Sequence, residues 1–157
     1  MLKKVMSFDP GYNTGWVCWL DGKMVDSGTV RLFGKAKDMT TDLQHLKLLG
    51  AGFRCEIEEH KPSEVVLEGV SLWGGSSKSQ AAALRGDTFW LAYLVGVYIA
   101  ICHEFSIQVT VVDVRTWKGS LPLEALQKWV QRQVGTTMSN EHEYCAAGIG
   151  LHYFGRM

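Results

Sequence analysis

The sequence predicts a mixed α/β protein: a five-stranded sheet, strands one to three antiparallel and strands four and five parallel, flanked by helices. Three observations predict it. Residues 1–32 hold three short apolar runs separated by turn residues, the pattern of a meander. A stretch with helical spacing follows. Beyond it, two short buried-strand patterns are separated by a long apolar helix, so a right-handed parallel crossover should join them.

The elements follow in order. Residues 3–8 (KKVMSF) read as the first strand and 15–20 (GWVCWL) as the second. Asp21-Gly22 is a strong hairpin signal, and 23–32 returns as the third strand. Residues 38–60 place Leu43, Leu46, Leu49, Phe53 and Ile57 at helical spacing, and Pro62 ends that helix. EVVL (64–67) is a buried strand ending at Glu68. SLWGGSSKS (71–79) is a Gly/Ser loop. Residues 80–105 read as a long helix, apolar nearly all round, and 107–112 (IQVTVV) as the fifth strand. Pro122 opens a helix to about residue 134, and Asn140 can cap a last one through Tyr153.

The chain has 157 residues, 46% hydrophobic and 20% charged, which fits one domain, 1–157, with one core. No uninterrupted apolar stretch is long enough for a membrane span, and MLKKVMSFD reaches an acid too soon for a signal peptide. Of the four cysteines, none forms a CxxC pair. Cys18, Cys55 and Cys102 read as buried thiols in a reducing cytoplasm. A formal net charge of zero excludes coating of nucleic acid by bulk charge, but not a local basic face.

The chemistry begins at Asp9. It ends a rigid strand, and Pro10-Gly11 turns the backbone away from it, leaving the carboxylate uncovered. Glu68 ends the fourth strand. If those strands are neighbours, the two carboxylates meet, and they repel unless a cation lies between them. Oxygen-rich sites of this kind suit Mg²⁺ or Mn²⁺, and two such ions can clamp the attacking and leaving oxygens of a phosphodiester. The same residues also fit a turn cap and a plain strand end. A third element tips the balance. NEHEYCAAGIGLHYFG (140–155) crowds Glu141, His142, Glu143 and Cys145 into the first turns of a helix thin enough to lie close to a sheet. His142 and Cys145, three apart, share a face.

SFDPGYNTGW, VVLEGVSLWGG, TWKGSLPLEALQKWV and NEHEYCAAGIGLHYFG together resemble, in order and spacing, the RuvC-type Holliday junction resolvases, nearest to their short phage-encoded branch. The resemblance covers nearly the whole chain. It implies an RNase H-like fold and a homodimer. It also implies a metal-dependent endonuclease that cuts branched DNA in recombination, repair and replication, leaving a 5′-phosphate and a 3′-hydroxyl. The branched substrates are four-way junctions, with forks and flaps besides. Asp9, Glu68, His142 and Cys145 match the family's metal-binding positions, with two Mg²⁺ or Mn²⁺ ions per site; His142 serves as ligand or proton carrier. Cys145 departs from the pattern, where an Asp is expected. It is either an introduced inactivating substitution or a natural variant in which Glu141 or Glu143 compensates. Leu123 stands where the family usually carries a Lys.

Leu72 and Trp73, in the loop beside Glu68, suit a wedge and a stacking platform at a branch point. Lys78, Arg85, Arg115 and Lys118 are the phosphate-contact candidates. Phe89, Tyr93, Gly96 and Ala100 form the helix face expected to meet a second copy. A branched-DNA binder of the same fold that does not cut is the main alternative. An actin-like nucleotide-binding protein needs two such domains, and this chain is too short for that. The expected setting is the cytoplasm of a bacterium or a phage-infected host.

Overall fold

The computed structural model describes residues 2–32, 39–70 and 86–156. Five strands form one sheet: β1 (Lys4–Asp9), β2 (Asn13–Leu20), β3 (Lys23–Arg31), β4 (Glu64–Gly69) and β5 (Gln108–Asp113), in the order β3-β2-β1-β4-β5. β1 runs antiparallel to β2 and β2 to β3, whereas β1–β4 and β4–β5 are parallel. The β2–β3 turn is made at Asp21 (φ 49°) and Gly22 (φ 75°), two left-handed residues whose twist suits a two-residue hairpin.

Helices cover both faces, so the inner strands are apolar in both directions. On one face, Met6, Phe8, Val65 and Leu67 pack under α1 (Met39–His60) and α2 (Asp87–Glu104) through Leu49, Phe53, Leu94 and Tyr98. On the other, Val5, Val17, Trp19 and Val66 meet α3 (Val114–Trp117), α4 (Leu123–Val134) and α5 (Glu141–Tyr153) through Trp117, Leu126, Ala146 and Ile149. Adjacent β1 residues alternate between the two cores because strand side chains alternate. Among the described residues, no helix is long and apolar enough to cross a membrane.

Three expectations need correction. The helix expected over 80–105 does not run through Gly86, whose φ of 83° is left-handed; α2 starts at Asp87. Residues 80–85 lie outside the described residues, as do Leu72, Trp73, Lys78 and Arg85. Leu43 is exposed rather than buried, because it falls at the rim of the α1 stripe defined by Leu46, Leu49, Phe53 and Ile57. Cys55 is exposed too. It lies midway between Phe53 and Ile57, half a helical turn from each, and so faces away from the core.

The close fit of α5 to the sheet positions the site. Ser7 Oγ donates to the Ala146 carbonyl at 2.7 Å and accepts from Trp19 Nε1 at 2.8 Å, joining β1, β2 and α5 in the core. Gly148 and Gly150 leave room for the Trp117 and Trp19 rings. At Gly15 the neighbour is backbone: an added Cβ would overlap the His142 carbonyl and crowd the Glu143 amide. Backbone yields less than a flexible side chain. Gly15→Ala is therefore expected to lower stability by about 1–3 kcal/mol, the usual range for overpacking. Urea unfolding checks this; an unchanged midpoint would show that α5 can shift without loss.

Candidate metal centre

The parallel register of β1 and β4 sets Phe8 beside Leu67. One residue further along each strand stand Asp9 and Glu68, so two carboxylates leave the same end of the sheet side by side. The antiparallel register pairs Asp9 with Gly15, and Gly15 is where α5 touches the sheet at His142. A single bare residue thus brings the first turn of α5 over the Asp9 carboxylate. His142 Nδ1 lies 3.5 Å from Asp9 Oδ2, a long ion-pair contact. Asn140 holds that turn in place: its Oδ1 accepts from the His142 and Glu143 amides at 3.0 and 3.2 Å.

The electrostatics agree with this crowding. Burial pushes the Asp9 carboxyl above its ordinary value, although His142 acts against the shift. Glu68 is pushed up to about 7, first by burial and then by the Asp9 charge. His142 is raised, chiefly by its contact with Asp9. The Cys145 thiol is pushed up to about 12, by burial first and by the Asp9 charge second. Asp9 and Glu68 each feel the other or a shared neighbour, as expected of carboxylates that a cation would relieve. The Lys118 charge opposes the upward shifts of Asp9, Glu68 and Cys145.

Asp9, Glu68, His142 and Cys145 are thus gathered at one end of the sheet. Their donor atoms are not in closed contact: no three of them lie within 4.8 Å of one another. Among the described residues that tighter spacing occurs at Glu56, Glu59 and His60, at the end of α1, where His60 Nε2 also lies 3.9 Å from Asp26 Oδ2 of β3. Asp9 and Glu68 fit a divalent ion; the Cys145 thiol does not fit a hard one.

The two neighbouring acids on α5 part company. Glu141 is exposed, and its Oε1 lies 3.8 Å from His142 Nε2 at the rim of the site. Glu143 is buried and turned toward β3. It accepts from Ser27 Oγ (3.1 Å), Thr29 Oγ1 (3.2 Å), Asn140 Nδ2 (2.8 Å) and the Ser139 amide (3.3 Å). Its role is to tie the start of α5 to the sheet.

Two residues enter that the sequence reading passed over. Trp117 Nε1 donates to Glu68 Oε2 at 2.8 Å and orients that carboxylate. Asp113, at the end of β5 and paired with Gly69, adds a negative charge felt by Glu68. Its Oδ1 accepts from the Arg115 amide at 2.7 Å and so caps α3. Asp113 carries the same signal that singled out Asp9 and Glu68, an acid closing an apolar strand. Of the phosphate-contact candidates, Lys118 follows α3 with Nζ 6.0 Å from the centre of the Trp117 ring. Arg115 is exposed, with Nε 3.9 Å from Asp113 Oδ1.

The fold is similar to that of Thermus thermophilus RuvC, with a TM-score of 0.65 and 13% identity over 98% of this chain and 97% of that one. A structure of T. thermophilus RuvC in complex with Holliday junction substrate gives a TM-score of 0.67 at 13% identity, again over 98% and 97%. The yeast mitochondrial Holliday junction resolvase Ydc2 gives 0.55 at 12% identity, over 94% of this chain and 77% of that one. No family model matches the chain, and no curated protein matches it. The five-stranded mixed sheet with flanking helices is therefore of the RuvC, RNase H-like type.

Proposed function

We propose that this chain is a metal-dependent, structure-selective endonuclease of the Holliday junction resolvase type, akin to the phage-encoded branch and acting on branched DNA in the cytoplasm. The observation that carries the reading is the meeting of Asp9 and Glu68 at adjacent parallel strand ends, beneath the turn of α5 that holds His142 and Cys145. This constellation sits on a fold shared with T. thermophilus RuvC, one structure of which holds Holliday junction substrate.

Asp9 and Glu68 would hold divalent ions, Mg²⁺ or Mn²⁺, which when bound polarise the scissile phosphate and the attacking water. The protein's own groups do the rest. Trp117 fixes one oxygen of Glu68, leaving the other for the site. His142, held by Asp9 through Nδ1, is placed to take or give a proton at the reacting phosphate. Lys118 and Arg115 meet DNA phosphates, joined by Lys78 and Arg85. Leu72 and Trp73 separate and stack unpaired bases at the branch.

A second reading is favoured by one feature, the half-buried Cys145 thiol, pushed up to about 12 and so offering a hard ion no charge: a protein that binds branched DNA without cutting it. The deciding experiment compares binding of a four-way junction and a linear duplex in Ca²⁺ with cleavage in Mg²⁺ or Mn²⁺. Preference for the junction with cleavage supports the first reading, and preference without cleavage the second. Equal affinity for both DNAs would sink both.

Paired cutting of a junction needs two sites, and α2 offers the surface for a homodimer. Phe89 and Tyr93 on α2 are 62% and 66% exposed, and Gly96 and Ala100, on the same helix face, are exposed too. A dimer at micromolar concentration is expected by light scattering, with Tyr93→Glu shifting it to monomer. A parent protein that is already monomeric would remove this interface.

A further inference from the structure

We propose that Glu56, Glu59 and His60 at the end of α1, with Asp26 of β3 across from them, bind a divalent ion of the zinc class. The site is separate from the Asp9 centre, because α1 lies over one face of the sheet and α5 over the other. An ion held there clasps the end of α1 to β3, an edge strand of the sheet.

Spacing is the first argument. Glu56 and Glu59 are three apart and Glu56 and His60 four apart, so the three project from one face of the last turns of α1. One donor atom from each lies within 4.8 Å of the other two. His60 Nε2 is 3.6 Å from Glu56 Oε2 and 3.9 Å from Asp26 Oδ2. Both distances are too long for a hydrogen bond. They approach the roughly 3.4 Å that separates two ligands each about 2.1 Å from one tetrahedral ion.

Anchoring is the second argument. Asp26 pairs with Cys18 of β2, whose side chain lies in the core under α1, so Asp26 leaves the sheet on that same face. Its Oδ1 accepts from the Ser27 amide at 2.8 Å, which leaves Oδ2 turned to His60. The His60 ring lies against Trp16, with ring centroids 4.9 Å apart. Trp16 in turn fills the space over Gly28 that a Cβ would occupy. The imidazole, only 12% exposed, is therefore held in place before any ion arrives.

Charge is the third argument. Three carboxylates meet one imidazole, and among the described residues no lysine or arginine forms an ion pair with any of the three. Burial pushes the Glu56 carboxyl up to about 7, and the Glu59 and Asp26 charges push the same way. A divalent cation relieves that repulsion. The imidazole nitrogen favours a zinc-class ion over Mg²⁺, which asks for oxygen. Binding releases the Glu56 proton to solvent and changes no oxidation state.

The test uses the full chain carrying Asp9→Asn and Glu68→Gln, which removes the two acids of the other centre, and Zn²⁺ as the probe. Calorimetry is expected to show one equivalent bound, and Zn²⁺ is expected to raise the melting temperature. His60→Gln, Glu56→Gln and Asp26→Asn, each added to that background, are expected to weaken Zn²⁺ binding at least about tenfold and to lose the rise in melting temperature. A ligand should cost at least as much as the outer-shell partners of a metal site do. Circular dichroism confirms that each variant is folded, and Glu59→Gln replaces one that is not. No binding in the background protein, or an affinity unchanged by any of these substitutions, overturns the assignment.

Discussion

Cys145→Asp is expected to raise Mg²⁺-dependent cleavage of a four-way junction by at least about a hundredfold, equivalent to about 2.7 kcal/mol of barrier. Burial and the Asp9 charge hold the thiol near 12, so it is neutral at ordinary pH and supplies no charge to a hard cation. An Asp at the same helical position would present an anionic oxygen beside Asp9 and Glu68. Three carboxylates around one space repel, and that repulsion is relieved when a divalent ion enters. Any activity of the parent should favour Mn²⁺, and the preference should shrink in the variant. Timed cleavage of a labelled junction in each metal measures both effects. Equal Mg²⁺ rates for parent and variant would remove Cys145 from the ligand set. Glu141 would then be the acid to examine, since Glu143 already accepts from Ser27, Thr29, Ser139 and Asn140.

Asp9→Asn and Glu68→Gln, each made in the Cys145→Asp protein, are expected to drop cleavage below detection and to leave junction binding intact or tighter. Both amides keep the size of the side chain and remove the charge that holds the ion. Loss of binding together with cleavage would assign these residues to structure instead. Glu68→Gln carries a second signature. The Glu68 carboxyl is raised from 4.5 to about 7, by burial and then by Asp9. Between those values the folded protein binds more protons at this residue than the unfolded chain does. Stability of the metal-free protein should therefore fall as pH rises through that window and stay low above it. Glu68→Gln removes this contribution. At pH 8 without metal it should melt higher than its parent, with the difference vanishing toward pH 4. A lower melting temperature at pH 8 would show that the Trp117 hydrogen bond to Glu68 matters more than the relief of repulsion.

Asp9 and Glu68 were legible because each is an acid that closes an apolar run, and a strand end fixes the aim of its side chain. Asp113 obeys the same rule and could have been read with them. His142 and Cys145 were legible as a pair because helical periodicity puts residues three apart on one face. Glu141 and Glu143 were not separable in the same way. Both flank His142, and only the packing of α5 against β3 turns one to solvent and buries the other among Ser27, Thr29 and Asn140.

Local pattern by itself determined the strands, their turns, the amphipathic stripe of α1 and the cap of α5, because each depends on neighbours a few residues away. It also predicted a thin last helix from Ala146, Ala147, Gly148 and Gly150. Tertiary structure decided what those features serve. Gly15 read as the first residue of the second strand and proved to be the seat of the α5 backbone at His142. Trp117 drew no role of its own within TWKGSLPLEALQKWV and proved to hold Glu68. Gly86 sat inside an apolar helical run, and with its left-handed backbone it stands just before the start of α2 at Asp87. Such contacts join residues tens of positions apart, and their geometry follows from strand order and the register of neighbouring strands. Spacing along one chain cannot encode a distance that is set only when β1, β4 and α5 pack together.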